Sequence, residues 1–104
     1  MATFRLSRRA DADLMNIAVY TLRTWGEEQA AHYIGGLEAC FQMLANNPEL
    51  GRTCDYVRLG LRRIGHGQHV VFYRQELGGI LVSRILHQRM LPGRRSIEDE
   101  GEEL

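Results

Sequence analysis

Near the end of the chain, "SRILHQRM" (residues 83–90) places Arg84, His87 and Arg89 within six residues. A guanidinium clamps phosphate or carboxylate through parallel N–H donors but gives up no proton at neutral pH, whereas an imidazole moves protons there. Such a trio suits two chemistries. Against RNA, His87 would serve as base or acid and the arginines would hold the scissile phosphate, with Tyr56, Tyr73 and the carboxylates as weaker acid-base candidates. Against another polypeptide, the same groups would dock acidic side chains. Strand periodicity sets Arg84 opposite His87, and Arg89 joins the side of His87 only if the strand continues that far.

The other histidines are His32, His66 and His69. The spacing His66-x-x-His69 invites a metal, but no acid or cysteine nearby completes a ligand shell, so neither a metal nor any other cofactor is expected. Cys40 and Cys54 do not form a metal-type pair, and two cysteines are too few to staple a small secreted scaffold. Cys40 falls inside a helical pattern, where a reduced, packed thiol is the expected state.

All 13 basic residues are arginines, and the formal net charge of zero conceals a segregation. Glu98, Asp99, Glu100, Glu102 and Glu103 crowd the last seven residues, leaving residues 1–97 with 13 arginines against 8 acids, a balance of +5. Residues 1–97 are thus expected to form one basic domain and 98–104 a solvated acidic tail. Arg62, Arg63, Arg74, Arg84 and Arg89 fall on or beside predicted strands, where they either keep an exposed sheet face soluble or bind an anionic partner.

The elements that must carry these groups are legible from periodicity. "TFRLS" reads as an opening strand ending at Ser7, a helix cap, followed by Asp11 and Asp13 where the helix dipole favours negative charge. Ala10, Leu14, Ile17, Ala18, Thr21 and Trp25 make one helical stripe that Gly26 ends. Ala30, Tyr33, Ile34, Leu37, Phe41 and Leu44 make a second stripe, stopped at Asn46-Asn47-Pro48. "NPELGRTCDYVRLG" lacks periodicity and reads as a loop. The stretch from Leu61 to His87 reads as three strands, punctuated at Gly65 to Gly67 and at Gly78-Gly79, the latter a hairpin signal. The expected fold is α+β, in the order β-α-α-β-β-β, with a helical hairpin packed on a small antiparallel sheet. Both alternate sets of the last strand are partly apolar, Leu81 and Ile85 against Ile80, Val82 and Leu86, so one sheet face is expected to await a partner or the C-terminal segment.

With 104 residues, 44% apolar and 25% charged, the chain suits a single soluble domain with one core. No apolar run approaches the roughly 20 residues of a membrane span, and "MATFRLSRRAD" lacks a secretory apolar stretch. A cytoplasmic location is expected.

Taken in order, "WGEEQA", "NPELGR", "HVVFYR" and "RILHQR" resemble the ParE branch of the ParE/RelE toxin superfamily, over about Phe4 to Met90. The resemblance implies the toxin of a bacterial type II toxin-antitoxin system, used in plasmid stabilisation among other settings. It implies a ParD-like antitoxin with a ribbon-helix-helix N-terminal domain and a C-terminal segment that wraps the toxin, with DNA reached only through that antitoxin and no membrane partner. It also implies DNA gyrase as the target, so that replication stalls.

Relatives of RelE type are instead ribosome-dependent endoribonucleases that bring Lys or Arg groups together with a C-terminal Tyr, or a Glu with a His, at the phosphate. This chain has no Lys and places Gln88 where some of those cutters place an aromatic, although His87 matches a position some of them use. No catalytic residue is therefore assigned. The expected antitoxin contacts are Tyr33, Leu37, Arg62, Arg74 and Arg84, and the expected target contacts are Arg84, His87 and Arg89.

Overall fold

A computed structural model describes residues 2–90 of the chain. The boundary at residue 97 and the acidic tail lie outside the described residues.

Strand β1 (Thr3–Leu6) leads into α1 (Arg8–Trp25), and α2 (Glu27–Asn46) returns antiparallel to it as a hairpin. The Ser7 hydroxyl accepts from the Ala10 N–H at 3.0 Å and donates to the Ser83 carbonyl at 2.8 Å, so one side chain both caps α1 and ties it to the last strand. Gly26, at φ +93°, makes the abrupt corner between the helices, a backbone state costly for any residue with a Cβ. Strands β2 (Arg52–Thr53), β3 (Leu61–His66), β4 (His69–Glu76) and β5 (Gly79–His87) follow, and a 3-10 turn (Gln88–Met90) ends the described chain.

The sheet has five strands in the order β1-β5-β4-β3-β2. Two features depart from the expected all-antiparallel sheet. Residues 52–53, read as loop, form a short edge strand beside β3, which two residues are too few to announce by alternation. In addition β1 runs parallel to β5, with Thr3 opposite Gly79 and Leu6 opposite Val82. The reason is where the chain goes next: Ser7 N–H bonds the Val82 carbonyl at 2.9 Å, and α1 continues along β5 until Asp13 reaches the Ile85 N–H at 2.9 Å.

The β4–β5 turn also differs from expectation by one residue. Glu76 pairs with Gly79, so Leu77 and Gly78 form the turn and only Gly78 has positive φ, +81°. Gly79 belongs to the strand, where a Cβ would collide with the Thr3 backbone of β1. Its role is close approach between strands.

The helices cover one sheet face. Ala10 and Ile17 of α1 and Leu37, Phe41 and Leu44 of α2 pack on Val71, Tyr73, Ile80, Val82 and Ile85. Trp25, assigned to the inward stripe of α1, is 67% exposed, because it lies at the corner where the chain leaves α1 for Gly26. The opposite face is covered in part by the chain itself: Cys54, Val57 and Leu61 pack with Phe72, flanked by Val70 and Leu86. Thus the segment read as an aperiodic loop supplies cover for the face expected to lie bare.

A β-bulge explains why β5 is apolar on both alternate sets. Tyr73 pairs with Val82 but Phe72 pairs with Arg84, leaving Ser83 as an extra residue on β5. The phase of alternation changes there, so Ile80, Val82 and Ile85 all meet the helices while Leu86 joins the other cluster.

Two buried hydroxyls provide a contrast. Tyr73 OH accepts from the Gly51 N–H at 2.7 Å and donates to the Pro48 carbonyl at 2.9 Å, pinning the segment after α2, whereas Ser83 Oγ has no hydrogen-bond partner among the described residues. Urea denaturation is expected to show Tyr73→Phe less stable by about 1–3 kcal/mol and Ser83→Ala unchanged or slightly more stable, since only the former strands polar groups.

Candidate functional site

Three groups of side chains stand out. The first is an ion pair between α1 and β5. Asp13 accepts from Arg84 Nε at 2.9 Å and from Arg84 Nη2 at 3.1 Å, and the same carboxylate takes the Ile85 N–H. The side chains are 11% and 14% exposed. Asp13, expected to serve the helix dipole, instead holds the bulged strand against α1, and Arg84 is engaged within the chain. A bidentate pair so desolvated is strongly coupled to the fold, because loss of one partner leaves the other charge stranded.

The second group gathers at the end of the sheet. The two-residue Gly67-Gln68 turn sets His66 opposite His69, and the register of β4 and β5 sets His69 opposite His87. The His69 and His87 rings stand edge to face with centroids 5.3 Å apart. Tyr33 of α2 lies over them, 5.5 Å from His69 and 5.8 Å from His66 between ring centroids. Its hydroxyl is 2.6 Å from His69 Nδ1 and near the Gln68 N–H and the His66 carbonyl, each at 3.3 Å. Gly67 permits this contact, since a Cβ there would press into the Tyr33 ring.

Burial pushes the His69 pKa below the usual imidazole value. His87 and His66 push it further the same way and Asp13 partly opposes them. Burial raises the Tyr33 phenol, with the Gln68 N–H as a partial offset.

The sequence had offered His87 as the acid-base nucleus of the opening trio. Its ring nitrogens are both engaged: Nδ1 accepts from the Arg89 N–H at 3.0 Å and Nε2 is 3.1 Å from the Gln68 side-chain oxygen. Strand β5 ends at His87, and Arg89 stands exposed on the following 3-10 turn. Arg84, His87 and Arg89 therefore do not converge on one point. Among the described residues no group of three His, Cys, Asp or Glu side chains is placed to hold a metal ion.

The third group is surface. On the sheet face away from the helices, Arg63 pairs with Phe72 and Arg74 with Leu61, so their side chains share that face. Arg52 pairs with Arg63, and both line a cleft of about 550 Å³ with Leu50, Ile64, Gly65, Val70 and Gln88. Arg5 grips Glu76 through both carboxylate oxygens, at 2.6 and 2.9 Å, and this bond holds the Glu76 carboxyl below its ordinary pKa. Arg62 points the other way and donates to the Gly51 carbonyl at 2.7 Å and the Glu49 carbonyl at 3.2 Å.

Of the residues expected to meet an antitoxin, Tyr33 and Arg74 are half-buried, and Arg62 and Arg84 are tied to other parts of the chain. Leu37 has no exposed surface and belongs to the core. The sheet covers the inward stripe of α2, Leu37 included. The sequence reading missed the outward side of α1, where Met15, Val19 and Leu22 recur at helical spacing and are 63%, 39% and 47% exposed, with Tyr20 and Trp25 beside them. Their spacing was visible; their exposure required knowing which side of α1 meets the sheet.

No helix among the described residues is long and apolar enough to cross a membrane. Residues 4–92 match the family model described as the ParE toxin of the type II toxin-antitoxin system parDE. The chain is 46% identical over 90 residues to toxin ParE1 of Caulobacter vibrioides, covering 86% of this chain and 93% of that protein. It is 41% identical over 88 residues to toxin ParE1 of Mycobacterium tuberculosis, covering 84% and 90%. Toxin ParE of Escherichia coli shares 35% over 91 residues, covering 86% and 88%. A solved structure titled as the chromosomal ParDE TA system from P. aeruginosa superposes with a TM-score of 0.69 at 22% identity, over 84% of this chain and 96% of that one. At that identity the superposition speaks to the fold.

The α1–β5 ion pair gives a direct test. Asp13→Ala strands Arg84 and the Ile85 N–H, and Arg84→Met strands the Asp13 carboxylate, so each is expected to lower stability by about 3 kcal/mol in urea melts.

Proposed function

The chain belongs to the ParE toxin family of type II toxin-antitoxin systems, and from that premise we propose that it acts in the cytoplasm as a non-catalytic toxin that binds DNA gyrase and blocks replication. The observation that carries the non-catalytic part is the state of the opening trio. Arg84 is held by Asp13, and both ring nitrogens of His87 are engaged within the chain. A ribonuclease needs a base and an acid aimed at a substrate; here the imidazoles and the Tyr33 phenol face one another. His87 and Arg89 at the end of β5 are the target-facing pair in this reading, and Arg84 contributes by holding β5 on α1.

Neutralisation falls to a ParD-like antitoxin whose C-terminal segment carries acidic and apolar side chains. Two surfaces support that assignment. The outward stripe of α1, with Met15, Val19 and Leu22 exposed, suits the apolar side of an amphipathic helix. The face bearing Arg63 and Arg74 suits its acids. Tyr33 and Arg62, half-buried and bonded within the chain, and Leu37, in the core, would serve by supporting these surfaces. DNA is reached through the antitoxin.

Purified chain added to gyrase is expected to inhibit supercoiling or trap cleaved DNA, and His87→Ala is expected to leave the chain without any messenger-cutting activity to lose. Cleavage of messenger RNA at codon positions on the ribosome, abolished by His87→Ala, would establish the RelE-type alternative instead.

For the partner, Met15→Glu with Leu22→Glu should weaken antitoxin binding at least tenfold by calorimetry while the melting temperature stays near that of the parent chain, because both side chains already face solvent. Arg74→Glu should chiefly slow association and reduce its salt dependence.

A further inference from the structure

We propose that Tyr33, His66, His69 and His87 form a proton-sensitive latch. It fastens the β3–β4 turn, under Tyr33 of α2, to the end of β5 while the imidazoles are neutral, and the hold between the turn and β5 loosens when they take up protons. This goes beyond the toxin reading and does not depend on which target the chain binds.

The geometry comes first. Four ring side chains from α2, β3, β4 and β5 meet at one end of the sheet, with His69 at the centre. It has Tyr33 on one side, His87 at 5.3 Å between centroids, and His66 as its register partner. Every element packed there contributes a named group. Helix α1 brings Asp13, which Arg84 of β5 already occupies. Helix α2 brings the Tyr33 phenol, and the β3–β4 turn brings the uncharged Gln68. The 3-10 turn brings the Arg89 N–H, which donates to His87. Among the described residues the cluster thus holds several proton acceptors, and the carboxylate that acts on it, Asp13, is already paired with Arg84, so successive protons repel one another.

The hydrogen bonds specify the tautomer of His87. Since Nδ1 accepts from the Arg89 N–H, the ring proton sits on Nε2 and faces the Gln68 side-chain oxygen. A second proton must go to Nδ1, where it displaces the Arg89 N–H. The 3-10 turn keeps the bond from the Gln88 N–H to the Gln68 carbonyl at 2.8 Å. At His69 the Tyr33 hydroxyl can donate to Nδ1 or accept from it, so protonation reverses that bond without breaking it. The stress falls on the imidazole pair.

The sign of the pH dependence follows. His69 binds its proton less readily in the folded chain than in the unfolded one. Its contribution to stability is therefore complete above the unfolded value of about 6.5 and is lost as pH falls below it, through the lower folded value. Each pH unit by which the folded value lies below the unfolded one is worth about tenfold in the folded-to-unfolded ratio.

The test is a pH titration of the full chain from 8 to 5, followed by the ring-proton NMR signals of the histidines and by urea melts at each pH. The expected result is that His69 titrates below the usual imidazole value. Stability should fall several-fold in folded-to-unfolded ratio as pH drops below about 6.5, and His69→Gln should flatten that fall. An ordinary titration of His69, or an identical fall in the variant, overturns the proposal. If His69→Gln does not fold, protection of the 66–69 amides in the unsubstituted chain decides: protection, corrected for intrinsic exchange, must drop on acidification before that of the Val71–Tyr73 core amides, and a uniform drop overturns the latch.

Discussion

One extra residue in β5 sets the arrangement of nearly everything else. Without the bulge at Ser83, the pairing that begins with Glu76 opposite Gly79 would carry on to place His69 opposite Leu86; with it, His69 faces His87. The same shift turns Ile85 towards the helices and sends Leu86 to the second cluster. A bulge leaves main-chain groups in need of partners. Here α1 and its cap supply them: the Asp13 carboxylate takes the Ile85 N–H and grips Arg84, and the Ser7 hydroxyl takes the Ser83 carbonyl. The helix is thereby bolted to the strand at the point where the strand is irregular.

That bolt also decides what the surface can do. Charge that looked available for chemistry in the sequence is drawn inward, Arg84 to Asp13 and Arg62 to the carbonyls of Glu49 and Gly51. The surface retains the arginines of the far sheet face and the apolar outward side of α1. A toxin of the ParE family meets other proteins, and such a surface suits that work: guanidinium groups lend charge complementarity, and exposed apolar side chains lend area.

The elements were legible in the sequence to the extent that they repeat. Ser7 as cap, Gly26 as corner, Asn46 as the end of α2 and the three long strands all follow from periodicity and from residues with one strong local preference. What was not legible is relational. A two-residue strand carries no period, and a parallel neighbour for β5 depends on where α1 leads the chain. A bulge cannot be read from alternation in a strand that is apolar on both sides. Because the bulge was hidden, so was the meeting of His69 with His87, although both were visible as single residues. Asp13 was noticed for its place near a helix start, and its partner 71 positions away was not. Leu37 reads both as a member of the packing stripe of α2 and as a partner contact, because a stripe does not reveal which of its members the sheet will cover.

The register across β4 and β5 is therefore the quantity to measure. Cross-strand nuclear Overhauser contacts in the isotope-labelled chain report it directly. The account predicts contacts of Phe72 with Arg84 and of His69 with His87, and an Ile85 amide protected by the Asp13 carboxylate. Contacts of Phe72 with Ser83 and of His69 with Leu86 would mean an unbroken ladder, and would contradict both the inward turn of Ile85 and the pairing of His69 with His87 that depends on the bulge.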